Sequence, residues 1–434
     1  MATFQTLPGF REFYPEECAL RNFLFERFRR TALSFAFEEY DAPILEQTEL
    51  FTAKSGDEII AQLFNFEDKG GRRVAMRPEM TPSLARMVGT RANAMKRPIK
   101  WFNISEAFRY ERPQRGRLRS FYQFNADMFG DMSPCADAEI IALCIHALRN
   151  FGLSCEDFHV RLSDRRLWTL LLQSHGAGDA EMQQILSLID RIEREDPGHT
   201  IENLGKVRGI DAEKVYGDIL LLKNVRTLDQ LVKFFEKSSA AGDVIGERIG
   251  DFSTLLGRME AFGLSKFVTI DFSIVRGLAY YTGFVFEAFE RTGQSRALAG
   301  GGRYDNLTKK LGYSDLPAVG FAAGDVTIGN ILMEKKTAPI FSKNLCCFIV
   351  YSRETEKIAM KQAAHLRWKN VNVDYCLEES NFVKQLKTAA QHKAKFVAIF
   401  DEENAASNRV RMKNMETGSE NIISSGDIFA AISE

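Results

Sequence analysis

Two short stretches hold residue types suited to chemistry on a small polar ligand. Arg276-Gly277-Leu278-Ala279-Tyr280-Tyr281-Thr282-Gly283 sets an arginine beside two tyrosines, within an aromatic and β-branched run that predicts a strand over Val275–Phe289. Gly300-Gly301-Gly302-Arg303-Tyr304-Asp305 is a glycine run through which backbone can approach a ligand closely. A guanidinium can meet both a carboxylate and a phosphate, and tyrosine hydroxyls can read a small polar side chain. Together these types suggest chemistry in which an amino acid is activated.

Three further groups are candidates. Arg109, Arg112, Arg115, Arg117 and Arg119 place five arginines in eleven residues, between the predicted strands Ile99–Arg109 and Arg119–Phe129. The strands read as an antiparallel hairpin with a long loop, and the arginines as an anion-binding surface. A solvated charged hairpin would look similar, but Arg109 lies between Phe108 and Tyr110, and an inward strand arginine needs an anionic partner. In Arg77-Pro78-Glu79-Met80-Thr81, Glu79 and Thr81 are two apart, so on an extended segment they point the same way and could hold an ammonium group. Thr81-Pro82 also suits a helix start, with Thr81 as cap and Pro82 in the first turn. Gln123 and Asp127, four apart on one strand, share a face and could floor a polar pocket or meet solvent.

Other elements must position these groups. Leu20, Phe23, Leu24, Phe28 and Leu33 form a helical stripe over Glu16–Phe37, followed by a short strand Tyr40–Leu45 carrying Pro43. From about Asp164 to Gly250 the pattern is helical, and strands resume near Phe267–Ile274, so this stretch reads as an insertion. After a linker at Glu334–Pro339, strands Cys346–Val350, Val371–Tyr375 and Phe396–Phe400 alternate with helices Glu354–Trp368 and Phe382–His392. That βαβαβ order predicts a small, mainly parallel sheet.

Composition narrows the classes. At 434 residues the chain implies two or three domains, and 45% apolar with 26% charged residues is ordinary for a soluble globular protein. No run of about 18 apolar residues occurs, and Met1–Phe10 lacks a basic-plus-apolar signal, so a cytoplasmic location with no membrane partner is expected. Seven scattered cysteines without a C-x-x-C pair argue against a disulfide framework or structural zinc. All six histidines lie outside the groups above, which leaves a histidine-based nucleophile relay unsupported. A net charge of −1 does not favour nucleic acid, although a local basic stripe could supply phosphate contacts.

Phe108-Arg109-Tyr110-Glu111, extended by Arg112-Pro113-Gln114-Arg115-Gly116-Arg117, resembles the second motif of class II aminoacyl-tRNA synthetases in its histidine-specific form. The Arg276–Gly283 and Gly300–Asp305 stretches resemble the two signature motifs of the histidyl-tRNA synthetase family, and the match runs from Leu7-Pro8-Gly9-Phe10-Arg11 to Gly418. The resemblance implies an α+β fold: an antiparallel sheet flanked by helices over residues 1–333, a helical insertion at about 165–250, and an anticodon-binding α/β domain at 340–434. It implies histidine–tRNA ligase activity, with L-histidine, ATP and tRNA(His) as partners, Mg²⁺ on the polyphosphate, and a homodimer using Glu16–Leu45. By the same resemblance, Arg109 and Arg276 are catalytic and grip the α-phosphate. Glu111 and Phe121 hold adenine, Glu79, Thr81 and Gln123 anchor the ammonium, and Asp127, Tyr280 and Tyr281 enclose the imidazole.

Two positions depart from the family pattern. The third motif commonly reads Gly-Leu-Glu-Arg, whereas this chain has Gly324-Asp325-Val326-Thr327, without the arginine; a branch of the family carries a similar glycine–aspartate–valine variant. Ala279 stands where an aspartate is common. Lys384-Gln385-Leu386-Lys387 and Lys413–Gly418 resemble the family's anticodon-binding domain, yet residues 340–434 carry 13 Lys+Arg against 12 Asp+Glu, so an RNA grip there must come from placement. The competing expectation is a non-catalytic paralogue that serves as a histidine-sensing regulatory subunit of ATP phosphoribosyltransferase. Such proteins typically lack the C-terminal domain.

Overall fold

The computed structural model describes residues 4–433 apart from 56, 115, 193–194, 239–241, 276–279, 292–296 and 340–344. The chain divides into two compact units, Met1–Pro339 and Ile340–Glu434.

The first unit opens with α1 (Pro15–Ser34), whose Leu24, Phe28 and Ala32 are buried while Leu33, also on the apolar stripe, faces out. A continuous strand over Tyr40–Leu45 does not form. Instead β1 (Glu38–Glu39) and β2 (Leu45–Gln47) are separated by irregular chain. Pro43 has no N–H to give to a ladder, and the Arg77 guanidinium takes up the Ala42 carbonyl at 2.6 Å. After α2 (Thr48–Ser55), strands β3 (Asn65–Glu67) and β4 (Arg73–Met76) complete a small antiparallel sheet with β2.

Helix α3 (Thr81–Arg91) leads to β5 (Ile99–Phe108) and β6 (Ser120–Phe129), which pair antiparallel from Ile99↔Phe129 to Phe108↔Ser120, as the sequence predicts. Then come α4 (Pro134–Arg149) and β7 (Phe158–Asp164). Six helices follow: α5 (Arg165–Ser174), α6 (Asp179–Arg191), α7 (Pro197–Gly205), α8 (Ala212–Lys223), α9 (Leu228–Lys237) and α10 (Asp243–Ala261). The helical stretch therefore continues beyond Gly250. Four of these helices start at a side-chain cap (Asp164, Asp196, Asp211, Thr227) that accepts otherwise unpaired first-turn amides.

Strands β8 (Val268–Ile270), β9 (Phe284–Glu290), β10 (Ala299–Arg303) and β11 (Ala318–Gly324) finish the large sheet, with α11 (Leu307–Lys310) before β11 and α12 (Asp325–Glu334) after it. The sheet order is β1-β5-β6-β11-β10-β9-β7-β8, antiparallel except for the two outermost pairs. Of the strand expected over Val275–Phe289, residues 276–279 lie outside those described, and β9 covers the part from Phe284 on. The preceding Tyr280–Gly283 is a turn held by the Arg303 carbonyl and Asp305.

Period two sorts the side chains of this sheet. On β6, Phe124, Ala126 and Met128 enter the main core with Phe28, Phe102 and the apolar residues of α4. Phe121, Gln123, Asn125 and Asp127 face the opposite way, toward a cavity.

The C-terminal unit contains β12 (Cys347–Tyr351), α13 (Glu356–Trp368), β13 (Val373–Tyr375), α14 (Phe382–Gln391), β14 (Phe396–Phe400), α15 (Glu402–Ala406), β15 (Arg409–Asn414), β16 (Glu420–Ser424) and α16 (Ile428–Ser433). Its sheet order is β13-β12-β14-β15-β16. β12 pairs parallel with β13 and β14, but β14–β15 and β15–β16 are antiparallel, so the sheet is mixed rather than mainly parallel. The added hairpin buries Val410 and Met412, and Lys413 pairs with Glu420 across it at 2.7 Å. Lys384 and Lys387 are exposed, whereas Gln385 between them is buried and serves the fold. Its amide accepts from the Tyr351 N–H (3.1 Å) and donates to the Tyr351 and Ser380 carbonyls (2.7 and 2.6 Å).

Gln385→Ala strands these backbone groups. It should destabilise this unit by about 1–3 kcal/mol, read as faster hydrogen exchange in β12 and α14 of the full chain.

Candidate active site

A cavity of about 840 Å³ lies against the outward face of the large sheet, within the range typical of small-molecule sites. Nine of the ten site residues named from the sequence line it: Glu79, Thr81, Arg109, Glu111, Phe121, Gln123, Asp127, Tyr280 and Tyr281. Arg276, the remaining one, and Ala279 lie outside the described residues, as does Arg115 of the hairpin.

Arg109 follows the end of β5 and continues the hairpin, its amide donating to the Arg119 carbonyl at 2.9 Å. Its guanidinium stands 5.3 Å from the centre of the Phe121 ring, and its Nε donates to the Pro78 carbonyl at 3.1 Å. That bond ties the hairpin to the segment carrying Glu79 and Thr81. The segment is pinned from behind by buried Arg77, which donates to the Glu106 and Ala42 carbonyls (2.9 and 2.6 Å) and reaches the Asp41 carboxylate at 3.3 Å. Thr81 is the first residue of α3 rather than its cap; Met80 occupies the cap position without a side-chain bond. The Thr81 side chain is thus not consumed by capping.

The hairpin arginines do not act as one uniform surface. Arg117 pairs with Glu111 at 2.7 Å, while Arg119 donates to the Glu111 carbonyl at 3.1 Å and lies over the Tyr110 ring at 4.5 Å. These contacts fix the Glu111 carboxylate at the cavity wall.

Gln123 and Asp127 do share the cavity face. Gln123 Oε1 is buried without a hydrogen-bond partner among the described residues, an acceptor suited to a ligand N–H. Asp127, 3% exposed, accepts a short hydrogen bond from the Tyr304 hydroxyl. The carboxylate fits because its cross-strand neighbour is Gly320, where a Cβ would come within 1.9 Å of Asp127 Oδ1. In the glycine run only Gly300 lines the cavity. Gly301 serves strand packing, since a Cβ there would meet the Gly320 carbonyl oxygen at 2.1 Å.

Tyr280 and Tyr281 are both buried, with ring centres 4.5 Å apart and hydroxyls at 3.4 Å. Tyr280 meets the Tyr304 ring edge-on at 5.8 Å. The tyrosine turn is fastened by Thr282, whose amide donates to the Arg303 carbonyl (2.8 Å) and whose hydroxyl donates to Asp305 (3.1 Å). Arg303 in turn pairs with buried Asp137 at the start of α4 at 2.6 Å. Burial pushes the Asp137 carboxyl up to about 6, against the pull of Arg303 and Arg248. Burial likewise raises Tyr304 well above the usual phenol range, with Asp127 adding to the effect, so the hydroxyl remains a donor.

Residues not singled out from the sequence also line the cavity. Asp190 comes from α6 of the helical insertion, where its position between Ile189 and Arg191 gave no sign of it. Glu287 comes from β9, where alternation with buried Phe286 and Ala288 could have found it. Asp325, in the third-motif position, lines the wall near Phe121 with Val326 and Thr327.

Comparison with known proteins shows the family. The profile of the histidyl-tRNA synthetase family matches residues 9–326, and that of an anticodon binding domain matches residues 344–434. A histidine–tRNA ligase from Opitutus terrae is 48% identical over 425 residues, covering 97% of this chain and 96% of the relative. The solved histidyl-tRNA synthetase of Nostoc sp. PCC 7120 superposes with a TM-score of 0.80 at 23% identity, covering 100% of this chain and 99% of that one. A structure from Bacillus halodurans C, described as an ATP phosphoribosyltransferase regulatory subunit/histidyl-tRNA synthetase, gives 0.75 at 21% identity over 92% of this chain and 100% of that one. The two solved structures establish the fold, which is that of class II aminoacyl-tRNA synthetases. The chain belongs to the histidyl-tRNA synthetase family.

Gly320→Ala inserts a methyl group where Asp127 lies. The expected cost is about 1–3 kcal/mol in chemical denaturation, with secondary structure by circular dichroism unchanged.

Proposed function

We infer that this chain is a histidine–tRNA ligase: it activates L-histidine with ATP to histidyl-adenylate and passes the histidyl group to the 3′ end of tRNA(His). The observation that carries the reading is the meeting, in one cavity, of an arginine beside an aromatic ring with a buried acid–tyrosine cluster. Activation needs no protein nucleophile. The histidine carboxylate attacks the α-phosphorus in line, pyrophosphate leaves, and a terminal ribose hydroxyl of tRNA then takes the acyl group and releases AMP. Positioning and charge stabilisation supply the catalysis.

In this reading Arg109 meets the charge growing on the α-phosphate, held by the Pro78 carbonyl and by Phe121. Arg276 is assigned the second grip on the phosphate and the substrate carboxylate. Phe121 stacks on adenine, and Glu111, fixed by Arg117, accepts from its amino group. Glu79, Thr81 and the buried Gln123 oxygen receive the ammonium. Asp127 accepts from one imidazole nitrogen, and Tyr280 and Tyr281 close over the ring. A pocket built to bond the imidazole can reject an apolar analogue by about 10⁴-fold or more.

Mg²⁺ enters as part of the substrate, MgATP. Asp190 and Glu287 place hard carboxylate oxygens in the lining of the same cavity, a donor type that suits it, and when bound it would offset polyphosphate charge. A homodimer using Glu16–Leu45 is supported by exposed Leu33, Ile44 and Leu45 in that segment. Among the described residues no helix is long and apolar enough to cross a membrane, and a cytoplasmic location is assigned from the reaction. The C-terminal unit takes the anticodon end of tRNA, consistent with its family match. That match also favours the ligase over the regulatory-subunit reading.

Histidine-dependent exchange of pyrophosphate into ATP tests the assignment. The wild type should exchange, and Arg109→Ala and Arg276→Ala should each lower kcat by about 10²–10³-fold. No exchange by the folded wild type would favour the regulatory reading.

A further inference from the structure

Asp325 is a buried acid on the wall of a cavity read here as the site of a polyanion, where a bare carboxylate would repel the ligand. Both of its oxygens are engaged. Oδ1 accepts from the Tyr122 amide at 2.9 Å, next to Phe121, and Oδ2 accepts from the Arg11 guanidinium at 2.8 Å. The Arg11 side chain is 26% exposed against 4% for Asp325, and its guanidinium also lies 4.9 Å from the Phe13 ring centre. Burial raises the Asp325 carboxyl above its usual range, while Arg11 and the Tyr122 amide pull the other way.

The contacts join three parts of the wall. Tyr122 is on β6 beside Phe121, Asp325 opens α12 beside Val326 and Thr327, and Arg11 reaches in from the N-terminal segment, more than three hundred positions away in sequence. Gly324 pairs with Gln123 in the sheet, so the start of α12 is registered directly against the strand carrying Phe121. The Asp325 carboxylate ties those two walls together in addition to the strand ladder. That carboxylate is tolerable beside phosphates only with a counter-charge.

We propose that Arg11 is a positioning residue for nucleotide binding: its ion pair with Asp325 neutralises a buried acid in the ATP half of the cavity and fixes α12 opposite Phe121. The pair thus takes over the charge balance at the site where the third-motif arginine is absent. This rests on the cavity binding ATP as read above.

The test is pyrophosphate exchange with the full chain, varying ATP and histidine separately. Arg11→Ala should raise the ATP KM by about tenfold or more, leaving the histidine KM within about twofold, as expected for an unpaired buried acid confined to one subsite. Arg11→Lys should recover most of the loss. In the double variant Arg11→Ala/Asp325→Asn no bare acid remains, so the ATP KM should return to within about threefold of wild type, a non-additive outcome. If Arg11→Ala does not fold, Arg11→Gln, which keeps donors and loses the charge, carries the same expectation. An unchanged ATP KM in the single variant, or a double variant as impaired as the single, would overturn the role of Arg11 alone. A wild type without exchange would overturn the reading of the site and this inference together.

Discussion

The cavity depends on a carboxylate buried in the sheet. Asp127 lies almost wholly out of water, a placement that costs several kcal/mol unless its oxygens are bonded. The sheet meets this constraint with space and a donor: Gly320 leaves room for the carboxylate, and the Tyr304 hydroxyl bonds it. Tyr304 is held in turn by the edge-on ring of Tyr280 and by Phe129, so the acid, its donor and the tyrosine pair form one packed cluster. An acid fixed in this way can favour a ligand N–H over apolar groups of similar size, because the alternative leaves a buried polar atom unpaired.

The surrounding architecture keeps that cluster in register. β6 presents Gln123 and Asp127 to the cavity because its alternate residues, Phe124, Ala126 and Met128, are committed to the core under α1 and α4. Buried ion pairs hold the far edge. Arg303 joins β10 to Asp137 of α4, and Arg248 of α10 bonds Asp164 at the end of β7 while lying over the Phe284 ring at 4.0 Å. Through Arg248 the inserted helices are attached to the strand that leaves the tyrosine turn. Asp190 also brings one of those helices to the cavity wall.

Much of the site was legible in the sequence because its residues sit on long, strongly patterned elements. The hairpin of β5 and β6 was visible from alternation and from its arginine-rich loop, and the shared face of Gln123 and Asp127 follows from period two. Less legible were features set by distant contacts. The Tyr280–Gly283 turn reads as strand from composition, but Asp305 and the Arg303 carbonyl draw it out of the ladder. Tyr40–Leu45 reads as strand until the buried Arg77 claims its carbonyls. The Arg11–Asp325 pair spans almost the whole first unit and leaves no local pattern. In the C-terminal unit the last hairpin was missed because its residues were read as a motif, although buried Val410 and Met412 alternate with outward Arg411 and Lys413.

The most direct test of this account is calorimetric titration of L-histidine into the wild type and Asp127→Ala. If the imidazole is read by the buried carboxylate, the wild type binds histidine and the variant loses about 10²-fold or more in affinity while remaining folded. Equal affinity in the two proteins would contradict it.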